Sequence, residues 1–523
     1  MRKLILLFFS ILFFTQCTSV KKKNELLQEF IPIDKLHSDV DFTYRKLQQL
    51  HPNLYEYIDK VVLDHKFDSL KNTINTPLKP LDFYKKLSPI VAAVKQGHSV
   101  VYGPTTLFTK RETKAILKRG IGPLSQFEFS YLNDKLYVIK NKSTTRSIQP
   151  GTEVIGINHI KPIDLITEYN NFYTSDGYNT TLKKLQSSKR FNTFFTIENG
   201  IHDSLEYQFQ YKDSLKKITI SRLKTVTPEK KFASITPSKK QPKITAVERK
   251  ALKALKKKKK TNGYNKESED YNRNLDFIGK DSTIALLKIR TFTNGNYKRF
   301  YKQSFEALKK YQTKTLIIDL RDNGGGRLSE VAYLYSYLSD SSFVFLQKSE
   351  VVSRGSLFKG AYWHGGSLPI KVLKVLLTPI VYSYILATVH KNKNGKNYYA
   401  TETSKHKASK NVFKGKIYVI TNGGSFSAAS ILSSNLKGSK RATFVGTETG
   451  GSYNGTVAGF MPIYQLPNSH LKIRIGIMDM KPYFSTPIKG HGIYPDKEIN
   501  LKLNEILTEK DPELDWILQD IKK

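Results

Sequence analysis

The stretches TLIIDLRDNGGG, residues 315–326, and KIYVITNGGSFSAASIL, residues 416–432, decide the fold of this chain of 523 residues. Each begins with a run of apolar residues that is typical of a strand buried on both faces of a sheet. Each run ends in a glycine-rich turn, and the second turn leads into the apolar start of a helix. A third such run, Ile284–Ile289, precedes them. Strands that alternate with helical spans from Ser282 onward predict an α/β core.

The first turn contains three consecutive glycines, Gly324, Gly325 and Gly326. Glycine permits backbone conformations and close approaches that a side chain would forbid, so N–H groups of this turn are free to face a substrate oxygen. In isolation the run would also fit a phosphate-binding loop, but the lysine and the serine or threonine of that motif are missing. The turn is therefore a candidate for stabilising a negatively charged oxygen.

Ser427 lies in the second turn, between a strand and a helix. A serine at such a glycine-rich turn exposes its hydroxyl at the helix N-terminus, where the helix dipole stabilises a developing anion. Ser425, Ser427 and Ser430 each also suit a simple helix cap, because serine is a preferred capping residue. The turn by itself therefore leaves a nucleophile and a cap as alternatives.

The two segments, taken together and in this order, resemble the signatures of the carboxyl-terminal processing peptidases, also called tail-specific proteases, and of their tricorn-like relatives. The family signatures are a strand that ends in Asp-Leu-Arg-x-Asn-x-Gly-Gly and a Gly-x-Ala-Ser-Ala-Ser-like nucleophile turn. The resemblance extends from about residue 83 to 500 and includes the closing GIYPD, residues 492–496. It implies a serine peptidase core of crotonase-like ββα architecture with Ser427 as the nucleophile. It also implies that Ala428 and a glycine among residues 324–326 donate N–H groups to the oxyanion.

The resemblance further implies a general base. Peptidases of the Ser-Lys type carry a lysine in a Thr-x-Gly-Lys segment, but the corresponding residues 446–452, GTETGGS, contain none. The tricorn-like branch takes its base from a histidine, and QGHSV, residues 96–100, resembles that segment. His98 is therefore the predicted base, since a histidine near neutral pKa accepts the serine proton and returns it to the leaving amine.

The acid that orients the histidine is harder to place. In the tricorn-like pattern a glutamate lies shortly before the closing segment, where this chain has IKGH, residues 488–491. Glu448 is the substitute candidate and Asp479 the next, although both residues also fit ordinary surface or turn carboxylates. His51 and His491 are predicted to be structural.

The spacing of apolar residues along the chain predicts a multidomain α+β protein. Apolar residues at three- and four-residue steps predict an N-terminal helical domain at residues 24–115. Short alternating strands follow at 116–225, where IQPGTEVIGIN, residues 148–158, resembles a PDZ domain; a β-hairpin with a Pro-Gly turn is the alternative. The α/β peptidase core is placed at 275–505 and a C-terminal helix at 506–523.

Two further stretches have unusual composition. Residues 226–274 are rich in lysine and poor in large apolar residues, which predicts a mobile basic linker or insertion. The alternative is a basic helix on a lipid surface at 246–260. Residues 368–389 are apolar but contain two prolines and two lysines, so they predict a helical lid, an interfacial segment or a packed core element rather than a membrane span.

The N-terminus has the layout of a secretory signal peptide, with Met-Arg-Lys, an apolar run at residues 4–14 and the only cysteine at Cys17. The run is shorter than the roughly 20 residues that span a membrane. Its cysteine resembles that of a bacterial lipobox, so residues 1–17 are predicted as a lipoprotein signal peptide with lipidation at Cys17; simple cleavage and an uncleaved anchor are the alternatives. The expected location is the cell envelope, lipid-anchored to a membrane and facing the periplasm or the exterior.

The chain is strongly basic, with a formal net charge of +40. Solvated lysine-rich faces explain this charge, and attraction to anionic lipids is the functional alternative. No nucleic-acid-binding motif occurs, so no nucleic acid partner is expected. With Cys17 lipidated, thiol chemistry is excluded. The scattered histidines lack ligand spacing, so neither a metal nor another cofactor is expected.

Two functions are compatible with these features. The first is a serine endopeptidase that cleaves protein or peptide substrates by acyl transfer and recognises C-termini or unfolded segments, as the resemblance implies. The second is a non-catalytic peptide-binding or scaffold protein that keeps the peptidase fold. The missing lysine favours the second function, whereas Ser427, His98 and the glycine run favour the first.

Overall fold

The computed structural model describes residues 19–224, 245–358, 368–399 and 403–523. The predicted signal peptide, its Cys17 and residues 226–244 of the predicted linker lie outside the described residues. The helices of the described part are α1 Val20–Leu26, α2 Ile33–Leu50, α3 Lys60–Asn72, α4 Pro80–Ala92, α5 Lys110–Lys118, α6 Pro162–Asn170, α7 Thr181–Asn199, α8 Ala246–Asn262, α9 Tyr297–Lys310, α10 Leu328–Tyr335, α11 Leu368–Thr388, α12 Ala428–Gly438, α13 Leu503–Leu507 and α14 Pro512–Asp520.

The strands of the same residues are β1 Val100–Tyr102, β2 Phe127–Leu132, β3 Lys135–Asn141, β4 Glu153–Ile157, β5 Ser204–Tyr211, β6 Ser214–Ser221, β7 Tyr264–Asn265, β8 Asp270–Tyr271, β9 Arg273–Ile278, β10 Ile284–Ile289, β11 Thr315–Asp319, β12 Phe343–Val344, β13 Ser349–Val351, β14 Val389–Lys391, β15 Asn397–Tyr399, β16 Lys405–His406, β17 Lys416–Thr421, β18 Thr443–Gly446, β19 Thr456–Ala458, β20 Ile463–Gln465, β21 Lys472–Arg474, β22 Met478–Met480 and β23 Lys497–Glu498.

A six-stranded sheet with the order β23-β18-β17-β11-β10-β9 forms the centre of the structure. Strands β10, β11, β17, β18 and β23 run parallel, and β9 is antiparallel at one edge. Every residue of β11 is buried, and so is every residue of β17 after its first. Strands that are covered on both faces need continuous apolar runs, which is the pattern that the sequence shows.

Strands β11 and β17 are neighbours, and their register pairs Asp319 with Ile420. Both strands therefore end at the same edge of the sheet. The loops that follow them meet there, and the N–H of Phe426 donates to the carbonyl of Asn323 over 3.0 Å. Open parallel sheets place their functional loops at this carboxyl edge. The fold thus brings the two signature segments to one place.

The N-terminal helical part of the chain also contributes to the region around these loops. In α2 the buried side chains include Leu36, Val40, Leu47 and Leu50, which recur at helical spacing and form one packed face. After α4 the chain passes through His98 into β1. Strand β1 pairs antiparallel with β21, which ties the helical part of the chain to the core.

A separate five-stranded antiparallel sheet lies between the N-terminal helices and the core in sequence, in the order β2-β3-β4-β5-β6. Helix α7 contributes buried Phe191, Phe194 and Phe195 beside it. The segment at residues 148–158 forms the turn before β4 and β4 itself. This sheet occupies the region for which a PDZ-like domain is predicted, and that finer assignment stays a prediction.

The described part of the lysine-rich region differs from the mobile linker that its composition indicates. Helix α8 begins with a reciprocal capping box between Thr245 and Glu248, and it ends at Gly263 in the left-handed conformation. Lysine, alanine and leucine are strong helix formers, so caps and local propensity favour a helix here without a buried face. The helix lies where the sequence offered a basic helix at 246–260 as the alternative, and its contact with lipid stays a prediction.

Helix α11 is the single described helix that is long and apolar enough to cross a membrane. Most of its large apolar side chains are exposed, and Ile385 near its C-terminal end is buried. The expectation of a packed core element is therefore not met over most of its length. A lid and an interfacial helix remain as alternatives.

Candidate active site

The turn at Ser427 is built so that its hydroxyl is available. Ser427 has φ +57° and ψ −122°, a conformation that is strained for a residue with a side chain. It precedes α12 without capping that helix through its side chain. The hydroxyl of Ser425 donates to the carbonyl of Leu320 over 2.8 Å, and that of Ser430 donates to the carbonyl of Ser425 over 2.9 Å. The two neighbouring serines therefore stabilise the turn, and Ser427 is the one directed elsewhere.

The partner of Ser427 is His98, whose Nε2 lies 3.1 Å from the Ser427 Oγ. The imidazole stacks on Phe426 with 4.8 Å between ring centroids, and Arg474 Nε donates to the His98 carbonyl over 3.0 Å. His98 is only 5% exposed. Burial lowers the pKa of His98 to about 3, and the positive charge of Arg474 acts in the same direction. The ring is therefore neutral at neutral pH, which is the protonation state that a general base requires.

The other ring nitrogen, Nδ1, lies 3.1 Å from the Thr456 Oγ1. The Thr456 hydroxyl in turn donates to the Asp176 Oδ1 over 2.9 Å. Because that hydroxyl has one proton and gives it to Asp176, its oxygen accepts from Nδ1–H. This arrangement places the histidine proton on Nδ1 and leaves the Nε2 lone pair directed at Ser427.

Asp176 is the buried carboxylate at the end of this chain of hydrogen bonds. It also accepts the N–H of Gly97 over 2.8 Å and the N–H of Ser452 over 3.3 Å. Burial raises the pKa of Asp176 to about 6, although the three hydrogen bonds oppose that rise. The carboxylate is therefore ionised near neutral pH and protonates in mildly acidic solution.

The structure does not bring Glu448 to His98, which corrects the sequence-based choice of acid. Glu448 lies after β18, where its Oε1 accepts the N–H of Gly492 over 2.7 Å and lies 3.4 Å from the His491 Nδ1. It holds the closing segment against the core. The second candidate, Asp479, pairs with Lys481 at 2.8 Å and accepts a hydrogen bond from the Asn53 amide over 2.5 Å.

The predicted oxyanion donors lie beside Ser427. The N–H of Gly325 is already used, because it donates to the Asn323 Oδ1 over 2.9 Å. Gly324 faces open space, since a side chain built on it would meet no atom within 4 Å. Among the described residues the N–H groups of Gly324 and Ala428 have no acceptor in the chain. These two donors are thus free at the point where the two loops meet.

Gly325 is the glycine that the close contact of the two loops requires. Its φ is +97°, and an added Cβ would come within 2.8 Å of both the Ala428 nitrogen and the Ser427 Cβ. A larger residue would therefore push the Ser427 turn away from the loop. Gly326, with φ +140°, lies against the carbonyl of Phe292 instead.

A model of Peptidase family S41 matches residues 283–499 of this sequence. The matched S41 range contains Ser427, the glycine run and Thr456. His98 and Asp176 lie before it in the sequence, in the N-terminal helical part and in the loop between α6 and α7.

Solved structures resemble the whole described chain and not the S41 range alone. Mature CPAF has a TM-score of 0.56 at 15% identity, covering 92% of this chain and 95% of its own. The structure of mature CPAF complexed with lactacystin has a TM-score of 0.56 at 15% identity, and the match covers 94% of this chain and 98% of that one. The tricorn protease has a TM-score of 0.38 at 14% identity, and the match covers 94% of this chain and 36% of that one. No curated protein sequence is significantly similar. The likeness confirms a mixed α+β multidomain fold similar to that of S41 peptidases.

The candidate site opens into a cleft of about 570 Å³ that includes Ser427, His98 and Gly324. The charged groups that line it are mostly basic: Lys183, Lys189, Arg190 and Arg474, with Asp322 as the acidic member. Asp322 pairs with Lys189 at 3.0 Å. The cleft is therefore positively charged beside the two free N–H groups.

Sequence reasoning missed Asp176 and Thr456. Asp176 precedes a glycine between two helices, where Asp-Gly indicates an ordinary turn. Thr456 begins a short strand and carries no motif. Neither residue is near His98 or Ser427 in sequence, so only the tertiary fold brings them together.

Proposed function

We propose that this protein is a serine peptidase that cleaves peptide bonds by acyl transfer, with Ser427 as the nucleophile and His98 as the general base. The observation that carries the proposal is the hydrogen-bonded chain Ser427–His98–Thr456–Asp176 beside two free backbone N–H groups. A nucleophile, a base, a group that orients the base and an oxyanion site are the parts that serine acyl transfer needs.

The geometry supports a specific sequence of bond changes. The Ser427 Oγ attacks the carbonyl carbon of the scissile bond while its proton passes to the His98 Nε2. The carbonyl oxygen becomes an anion that accepts the N–H groups of Gly324 and Ala428. When the C–N bond breaks, His98 gives its proton to the leaving amine. Water then attacks the acyl ester with His98 again as base, which releases the acid and restores Ser427.

Thr456 and Asp176 act on His98 rather than on the substrate in this proposal. The threonine hydroxyl accepts from the His98 Nδ1–H and donates to the Asp176 carboxylate, so it connects the carboxylate to the ring and fixes the ring's orientation. The negative charge of Asp176 stabilises the imidazolium that forms when His98 takes the serine proton. Glu448, as placed in the structure, serves the closing segment.

The test is covalent labelling with a fluorophosphonate, which reacts with an activated serine. We expect one labelled peptide that contains Ser427 and loss of both labelling and peptide cleavage in Ser427→Ala. Ser430→Ala is the matched control, because this buried serine lies one helical turn away and donates within the same turn. Since mature CPAF was solved with lactacystin, lactacystin is a second probe. A folded wild type without labelling or cleavage would favour the non-catalytic peptide-binding alternative.

Two further parts of the proposal concern the substrates and the location of the protein. We propose substrates with exposed C-termini or unfolded segments, and attachment to a membrane of the cell envelope through lipid on Cys17. The basic residues Lys21, Lys22 and Lys23 would lie at the lipid headgroups and strengthen that attachment. Cys17→Ser should move the protein from the membrane fraction to the soluble extracytoplasmic fraction or leave it as precursor. A wild type that is wholly soluble, with its mature N-terminus beyond residue 17, would contradict the lipid anchor alone.

A further inference from the structure

Helix α11 has an exposed apolar surface that the peptidase site does not use. Nine of its large apolar or aromatic side chains are between 40% and 70% exposed: Ile370, Val372, Leu373, Val375, Leu376, Leu377, Ile380, Tyr382 and Tyr384. Mean hydropathy over residues 370–388 is 1.6. Soluble proteins seldom expose an apolar surface of this extent without a binding role. The described residues of the chain leave it uncovered.

The two lysines of α11 lie on one side of the helix. Lys371, Lys374 and Thr378 recur at spacings of three and four, and Ile385 follows Thr378 by seven, so these four side chains share one side. Ile385 is buried against the body of the protein and is only 8% exposed. The two lysines therefore lie on the side of the helix that turns towards the body.

The exposed apolar residues, with Ser383 among them, occupy the remainder of the circumference. At 100° per residue they occupy roughly 240° of its circumference. A helix that packs on one protein partner typically buries an apolar stripe of about 100°. An apolar arc more than twice as wide fits surroundings that are apolar in several directions at once, which is the property of a lipid layer.

The charges of the molecule favour the same surroundings. Lys371 and Lys374 border the apolar arc, where long basic side chains reach lipid headgroups while their stems stay in apolar contact. The net charge of +40 adds a general attraction to an anionic lipid surface. A second copy of the same basic chain would instead be repelled by that charge.

The topology limits how the helix enters a membrane. Helix α11 passes directly into β14, which pairs with β15, and β15 pairs with β13 from before the helix. The chain therefore leaves and re-enters the same sheet. The peptidase domain stays on one side, so α11 suits a position within the interface of one leaflet.

We propose that α11 is an interfacial helix that inserts its exposed apolar side into an anionic lipid surface and holds the peptidase domain against it. This attachment is independent of the activity proposed for Ser427 and of lipid on Cys17. It gives the core its own contact with the membrane.

A fluorescent label on α11 tests the insertion directly. Because Cys17 is the only cysteine, the full chain with Cys17→Ser can neither be lipidated there nor labelled. Ile380→Cys in that background carries an environment-sensitive dye, and Leu117→Cys is the matched control, since Ile380 is 68% and Leu117 70% exposed and both lie on helices. With vesicles of phosphatidylcholine and phosphatidylglycerol we expect a blue shift at position 380 and none at 117. No shift at 380, or equal shifts at both positions, would overturn the proposal.

A loss-of-binding experiment supplies the second measurement. Leu376→Asp with Ile380→Asp should reduce co-sedimentation with the same vesicles by at least about ten-fold, because two large apolar groups lose their lipid contact, whereas Leu117→Asp should leave it unchanged. Circular dichroism checks that each variant is folded, and the label at position 380 decides the question if the double variant is not. A dimer in sedimentation analysis without vesicles, accompanied by a blue shift at 380, would assign the surface to a second copy and refute lipid insertion.

Discussion

His98 and His51 are both buried histidines of the N-terminal helical part, but their surroundings differ. They are 5% and 2% exposed, and burial lowers the pKa of each to about 3. His98 contacts Ser427 on one nitrogen and Thr456 on the other. Neither ring nitrogen of His51 has a hydrogen-bond partner among the described residues. Burial and a shifted pKa are therefore shared by both rings, and the bonded partners distinguish the candidate base.

The largest expected difference between the two histidines is in catalysis. His98→Ala should lower kcat/KM by at least about 10³-fold, because it removes the proton acceptor for Ser427. His51→Leu should stay within about two-fold of the wild type, since His51 touches no part of the proposed mechanism. Steady-state cleavage of a quenched fluorescent peptide measures both variants. Full activity in His98→Ala would exclude His98 as the general base and favour a lysine base, for which the exposed Lys489 is the first candidate.

The next largest effect is on stability, to which both buried histidines contribute. In the unfolded chain His51 takes up a proton below its ordinary pKa of 6.5, whereas the folded protein keeps it neutral down to about 3. Stability is therefore lost as pH falls from 6.5 towards 3, by about 3 kcal/mol at pH 4. His51→Leu should remove the share of this loss that His51 contributes, together with two buried polar atoms without partners, while the similar share of His98 remains. Urea unfolding at pH 7 and pH 4 would show it, and an unchanged acid sensitivity would contradict the assignment.

The sequence predicted those parts of the site that lie on buried strands and their turns. The apolar runs of β11 and β17 predict two buried strands, and glycines mark the loops at their ends. The family resemblance then gave Ser427, Ala428 and one glycine of residues 324–326 their predicted roles. His98 was named through the same resemblance. Asp176 and Thr456 could not, because a turn aspartate and a strand threonine become partners of His98 only when three distant segments pack together. Glu448 was chosen by its place in sequence, and the structure directs its carboxylate to Gly492.

The third prediction compares these two acids. Asp176→Asn and Thr456→Val should each lower kcat by about 10- to 100-fold with little change in KM, because they disturb the orientation of His98 and not the substrate. Thr456→Ser keeps the hydroxyl and should restore most of the activity. Glu448→Gln should have a smaller effect than either. If Glu448→Gln were the more damaging change and Asp176→Asn were neutral, the acid named from the sequence would be right and the chain through Thr456 would have no role.

The smallest expected effect is a loss of activity in mildly acidic solution. It distinguishes protonation of Asp176 from protonation of His98. His98 stays neutral down to about pH 3, so its protonation does not limit activity in mild acid. The pKa of Asp176 is raised to about 6, so the carboxylate loses its charge as pH falls through that value and no longer stabilises the imidazolium. Activity should then fall below pH 6 by at most about ten-fold per pH unit and level off near the activity of Asp176→Asn, while circular dichroism shows a folded protein. A histidine of ordinary pKa would give a limb at nearly the same pH, and Asp176→Asn distinguishes the two causes. If Asp176 is responsible, the variant is slow but has a flat profile between pH 5 and 7; an unchanged limb in Asp176→Asn would assign the titration to His98.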